Sequence, residues 1–169
     1  MILGYISDAA AAAVGGVNVL LILAITLLGT LAGCGGIVLT QYLGGQRRQE
    51  LPDLNRSLLL INLLAGAALS LLMLLGSPLL PALLLMPTNL HQDATLFAAI
   101  VGGGLMAQSL VWAFSSILNA HGQTRLTMAN SLTMNIGNAL LSLYLFTHTD
   151  YGVAGVAWAT VLCRLAGAL

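Results

Sequence analysis

The stretch from Leu126 to Thr149, LTMANSLTMNIGNALLSLYLFTHT, contains no formally charged residue. Crossing a hydrocarbon layer of ~30 Å at ~1.5 Å per residue takes about 20 residues, so this stretch is long enough to span a membrane as one helix. It is not uniformly apolar. Thr127, Ser131, Asn135, Asn138 and Ser142 follow one another at spacings of four, four, three and four. At 3.6 residues per turn all five fall on one narrow stripe, with Leu132, Ile136, Leu140, Leu143 and Phe146 away from it. A side-chain amide facing lipid finds no hydrogen-bond partner, so the stripe has to border other helices or a water-filled cavity. The expected fold class is therefore all-α: a polytopic transmembrane helix bundle with a polar interior.

Composition points the same way. The 169 residues include five Arg, no Lys and five acids, and 59% are hydrophobic. A soluble domain has about a quarter charged residues. Net charge is zero and the Arg are scattered, which leaves no electrostatic footprint for nucleic acid. Cys34 and Cys163 sit inside apolar stretches without ligand spacing and read as small packing residues; no metal or cofactor is expected. The amino terminus lacks the basic region of a secretory signal. The chain begins as if in the last turn of a helix and stops inside an apolar segment, so it is expected to be a fragment of a larger membrane protein.

Five spans are expected, at about 11–44, 57–76, 95–119, 126–147 and 152–169. The first is longer than one crossing needs, which suggests a tilted or broken helix. Small residues recur in it at Ala32, Gly36, Thr40 and Gly44, with Gly29 and Gly33 as a second pair, a pattern that lets helix backbones approach closely in a membrane. Asn18, Thr26, Thr30 and Gln41 are further polar members of that run. The segment QRRQELPDLNR reads as a polar loop, with Asp53 or Asn55 placed to cap the next helix. Pro78, Pro81 and Pro87 frame an apolar piece, Ala82 to Met86, too short to cross and expected to lie at the interface. Gly102, Gly103 and Gly104 mark a flexible or close-packed point in the third span, whose polar members are Gln108, Ser109, Ser115 and Ser116. In the fifth, Gly155, Ala159, Cys163 and Gly167 form another small-residue face.

Arginine sets the expected orientation. The 46–56 loop holds three and the 120–126 turn one; the amino terminus, the 77–93 loop and the 147–152 turn hold none. The positive-inside rule puts the first two connections in the cytoplasm and the others outside.

The segments LGYISDAAAAAVGGVNVL, GTLAGCGGIVLTQYLGGQRRQE, SSILNAHGQTRLTMANSLTMNIGN and YGVAGVAWATVLCRLAGAL, in that order, resemble the first half of a multidrug and toxic compound extrusion (MATE) transporter. The resemblance implies one six-helix lobe of a twelve-helix transporter, running here from the end of helix 1 into helix 6. It implies a multi-pass protein of the plasma membrane that exports organic, often cationic, solutes in exchange for H+ or Na+. Its partners would be that small-molecule substrate, the lipid bilayer and the carboxy-terminal bundle that this chain lacks. In the family the fifth helix lines the cavity with an Asn and, one turn later, a carboxylate or amide. Asn138 matches the Asn, and Ser142 falls at the later position. Serine does not titrate at useful pH, so Ser142 cannot be a coupling acid. The turn before this helix departs from the common pattern at Asn119, Ala120 and Gln123.

The candidate cavity-lining residues are thus Ser131, Asn135, Asn138 and Ser142. The alternative for the two Asn is interhelical bonding that only holds the bundle together, worth about 0.6 kcal/mol per bond. Arg164 is the one charge deep in an apolar segment. It could make a buried ion pair with an acid elsewhere in the protein, or snorkel to the cytoplasmic interface, which is the default for such a residue. His91, His121 and His148 form no cluster. Trp112, Trp158, Tyr144 and Tyr151 fit packing or interface roles, although an aromatic ring facing the cavity would hold an organic cation. Competing functions are a lipid-linked oligosaccharide flippase of the same superfamily, which would call for an Arg-lined cavity, and a non-transporting scaffold. An intramembrane enzyme lacks its groups: there is no His-Glu-x-x-His helix and no aspartate pair within a span.

Overall fold

The computed structural model describes residues 8–83, 88, 91–148 and 152–168. It is a bundle of helices: α1 (Asp8–Gly44), α2 (Leu51–Gly76), the short α3 (Leu80–Leu83), α4 (His91–Gly103), α5 (Leu105–Ala120), α6 (Thr124–His148) and α7 (Gly152–Ala168). No strand occurs among the described residues. Three helical stretches, Gly15–Gly44, Leu51–Gly76 and Ala94–Ala120, have the length and apolarity to cross a bilayer. The 25-residue α6 is as long but less apolar, because its polar stripe dilutes it. The expected position of the amino terminus, most of the 82–86 interface segment and the tip of the turn at 149–151 lie outside the described residues, as does the side chain of Phe146.

The helices are inside out by the standard of a soluble protein. Along α2 the buried face reads Leu58, Asn62, Gly66, Ser70 and Met73, at spacings of four, four, four and three. Leu60, Ile61, Leu64, Leu71, Leu72 and Leu75 are exposed on the other side. Lipid tails are as apolar as leucine, so nothing drives these side chains inward. Small and hydroxyl-bearing residues go to the interfaces, where close backbones gain dispersion and hydrogen bonds. On α1, Val17, Leu21, Ala24, Leu28 and Ala32 are the buried stripe, and Val19, Ile22, Leu23 and Leu27 face out.

α1 is one continuous 37-residue helix rather than a broken one, about 55 Å long at ~1.5 Å per residue. After it, Gln46 takes a positive φ of 59° and a single 3-10 turn, Arg48–Glu50, leads into α2. The second helix starts at Leu51, earlier than the span expected at 57. Pro52 falls in its first turn, where a missing N–H costs nothing and a fixed φ favours entry. Neither Asp53 nor Asn55 caps it: both lie inside the helix, and the N-cap position, Glu50, makes no side-chain cap bond.

The helices α4 and α5 form one crossing with a flaw at Gly104. Its amide is shared between the carbonyls of Ile100 (3.3 Å) and Val101 (3.1 Å). The neighbouring Gly103 carbonyl accepts a bond from Ser70 Oγ on α2 at 2.9 Å. A side chain entering the hydrogen-bond ladder is a recognised cause of a helix irregularity.

The central helix is α5, which packs against α1, α2, α6 and α7. Two close approaches seat it. Ser116 Oγ donates to the Ala32 carbonyl of α1 at 2.7 Å, beside Gly36, where any side chain would collide with that hydroxyl. Ser109 stands against Gly66 of α2, and a Cβ at Gly66 would also meet the Met106 backbone at 3.1 Å. The small-residue face of α1 is used only in part: nothing stands within 4 Å of a Cβ built at Gly33 or Gly44. By contrast α6 packs chiefly on α7 and lightly on α5, so one side of α6 stands open.

Candidate functional site

Where α6 leaves α1 and α5, a cleft of about 470 Å³ opens. Its α6 wall carries Thr127, Ser131, Met134 and Asn135; its α5 wall carries Gln108, Trp112, Ser115 and Asn119; Gly29, Ala32 and Gly33 of α1 form the floor. The glycines bring the α1 backbone close, and the ring of Trp112 lies 3.7 Å from a Cβ placed on Gly29. One long face of Trp112 therefore rests on α1 while the residue stays 40% exposed to the opening. Toward the α5–α6 turn the opening widens along Asn119, Thr124, Met128 and Leu132.

A second cavity, about 270 Å³, lies between α5, α6 and α7 and shares Gln108, Met134 and Asn135 with the first. Asn138, Thr160, Cys163 and Arg164 complete its lining. Gln108 is about 21 Å along the helix from Ala94 and about 18 Å from Ala120, which sets the shared wall near the middle of the crossing.

The five stripe residues are thus divided. Ser131 and Asn135 border the wide cleft with Thr127, whose Oγ1 is buried without a hydrogen-bond partner. Asn138 borders only the smaller cavity and donates from Nδ2 to Thr160 Oγ1 at 3.1 Å, while Thr160 donates to the Val156 carbonyl at 3.0 Å. Asn135 bonds within its own helix, Nδ2 to the Ser131 carbonyl at 2.8 Å. Interhelical bonding therefore describes Asn138 and not Asn135. Ser142 lines neither cavity: it is buried, with Oγ lacking a partner. Leu132, Ile136, Leu140 and Leu143 are exposed on the sides of α6 away from α7.

Arg164, expected by default to carry its head group out to water, is half-buried. Its side chain lines the inner cavity, and one terminal nitrogen, NH1, is buried with no hydrogen-bond partner. No acid among the described residues pairs with it.

Of the lining residues outside α6, Gln108, Ser115 and Trp112 were noted in the sequence without being placed opposite the α6 stripe, and Thr160 was not noted. Arg164, one helical turn beyond Thr160 and lining the same cavity, was the signal that could have found it. The α5 wall did have a signal: Gln108, Trp112, Ser115 and Asn119 recur at spacings of four, three and four, a second stripe facing the first. On α1, Thr26 and Thr30 satisfy themselves on their own helix, bonding the carbonyls of Ile22 (2.7 Å) and Thr26 (2.8 Å), and line neither cavity. Among the described residues no group of His, Cys and acids is arranged to hold a metal, and both cysteines are free thiols.

Long helices with leucine outside and amides around an inner cleft define an integral membrane protein of the helical-bundle class. The chain belongs to the MatE family, whose pattern it matches over residues 1–144. It is 31% identical over 171 residues to an uncharacterized transporter, YisQ, of Bacillus subtilis (strain 168), covering 99% of this chain and 38% of that protein. Its fold is similar to that of a multidrug resistance MATE family transporter of the MOP superfamily in an inward-facing conformation. The TM-score is 0.87 at 18% identity, over 95% of this chain and 37% of the other. The chain thus spans less than two fifths of the length of these relatives.

Proposed function

We propose that the protein of which this chain is part is a secondary active antiporter. It exports organic solutes in exchange for H+ or Na+, with this chain forming most of one lobe and a second bundle the other. The observation that carries the reading is the facing of two stripes across one cleft: Thr127, Ser131 and Asn135 on α6 against Gln108, Trp112, Ser115 and Asn119 on α5. Amides and hydroxyls bind without dictating a charge, and a half-exposed indole gives an organic body a flat apolar surface. Alternating access would come from rocking the two lobes about a mid-membrane site. The five acids of the chain, Asp8, Glu50, Asp53, Asp93 and Asp150, all lie near the ends of spans. An acid that couples ion flow would then belong to another part of the protein.

The test is the full-length protein in proteoliposomes, loaded with a fluorescent organic dye and given a proton or a sodium gradient. Dye movement that stops when the gradient is collapsed supports antiport, and the gradient that drives it names the ion. A correctly inserted protein that moves no dye under either gradient would support the scaffold reading instead. The relative from Bacillus is named a transporter and the solved relative a multidrug resistance transporter, which favours transport of dye-like solutes here.

A further inference from the structure

The inner cavity has a chemistry of its own. Arg164 supplies the cavity's only formal charge among the described residues, and the groups around it are neutral: the amides of Gln108, Asn135 and Asn138 and the hydroxyl of Thr160. NH1 is removed from solvent and unbonded. A half-buried guanidinium with one nitrogen unbonded and no anion beside it is costly, which points to a place where an anion is bound for part of the working cycle. Its planar fork takes a carboxylate or a phosphate in two parallel bonds, and a single guanidinium among neutral groups balances the single charge of a carboxylate. Asn138 donates to Thr160 and Thr160 to the Val156 carbonyl, so the walls present the guanidinium with neutral acceptor oxygens and no counter-charge. The wall shared with the wider cleft, at Gln108, Met134 and Asn135, leaves room for the rest of a molecule beyond the charged end.

We infer that Arg164 and the cavity between α5, α6 and α7 form a carboxylate-binding subsite, and that the transported solutes include ones bearing a carboxylate. The solute's carboxylate pairs with Arg164 while its organic body lies in the cleft beside Trp112. This inference deepens the transport reading by naming a substrate class, but it concerns binding and is tested without transport.

Cys163 lines the same cavity and serves as the reporter. In the full-length protein, with all other cysteines replaced by serine, its modification rate is measured with small anionic and cationic methanethiosulfonate reagents. An uncompensated guanidinium raises the anionic-to-cationic rate ratio by about tenfold over Arg164→Gln, with Arg164→Lys close to the parent. Benzoate slows the modification in the parent, benzamide and benzylammonium do not, and Arg164→Gln removes the benzoate effect. An unchanged rate ratio in Arg164→Gln would show that a carboxylate elsewhere in the protein already neutralises the charge, and would overturn the subsite. Protection by benzylammonium as strong as that by benzoate would overturn it as well. If Arg164→Gln fails to insert, benzoate against benzamide in the parent and in Arg164→Lys decides the matter. Benzoate protection in a protein that moves no dye would leave the subsite standing and defeat only the antiport reading.

Discussion

The two sides of α5 are built on opposite principles. Toward α1 and α2 it is sealed: Gly36 and Gly66 admit the hydroxyls of Ser116 and Ser109 so closely that neither glycine has room for a methyl group. Toward α6 it is open, and the groups that face each other there are amides, an indole and hydroxyls around about 470 Å³ of space. In a bilayer the sealed side gains from dispersion and from a few bonds such as Ser70 to the Gly103 carbonyl. The open side gains little from packing and keeps polar capacity unspent. Close packing and open polar surface are thus assigned to different faces of one helix.

Substitutions should separate the two. The largest effect is expected at the sealed seam: Gly66→Val forces the α2 and α5 backbones apart and should cost about 1–3 kcal/mol, read as a lower unfolding temperature in detergent. An unchanged temperature would mean that the seam between α2 and α5 has slack for a larger side chain. Next comes the open side. Asn135→Leu combined with Asn138→Leu should cut dye efflux by the full-length protein about tenfold or more, equivalent to about 1.4 kcal/mol, while membrane insertion is kept. Equal efflux by this variant and the parent would remove the α6 stripe from the site. Ser70→Ala deletes one interhelical bond and should cost about 0.6 kcal/mol, with efflux unaffected. The smallest effect is expected at Gly33→Ala, which points into open space within the cleft and should lie within about 0.5 kcal/mol of the parent. A large loss of stability there would show that the cleft is closed by another element in the whole protein.

Much of the bundle was legible beforehand. Lengths of uncharged chain mark where the long apolar helices lie, because a bilayer penalises charge whatever the helices do next. The start of α2 was misread by about two turns, since polar residues suggested a loop where Pro52 in fact opens a helix. The α6 stripe was visible as a period. Which member meets which neighbour was not: Asn135 turns back on its own helix, Asn138 reaches Thr160, and Ser142 is walled in.

Periodicity along one helix establishes that a polar edge exists, since that depends only on 3.6 residues per turn and the cost of an amide in lipid. It is silent on what stands opposite, because that depends on how α5 and α7 are rotated and how near they come. Those quantities are set by contacts between residues far apart in the chain, such as Ser116 with Ala32 and Asn130 with the Gly167 carbonyl at 3.0 Å. Arg164 shows the difference most plainly. Its sequence neighbours allow a head group drawn out to water, and only the packing of α7 against α6 and α5 turns it inward to a cavity.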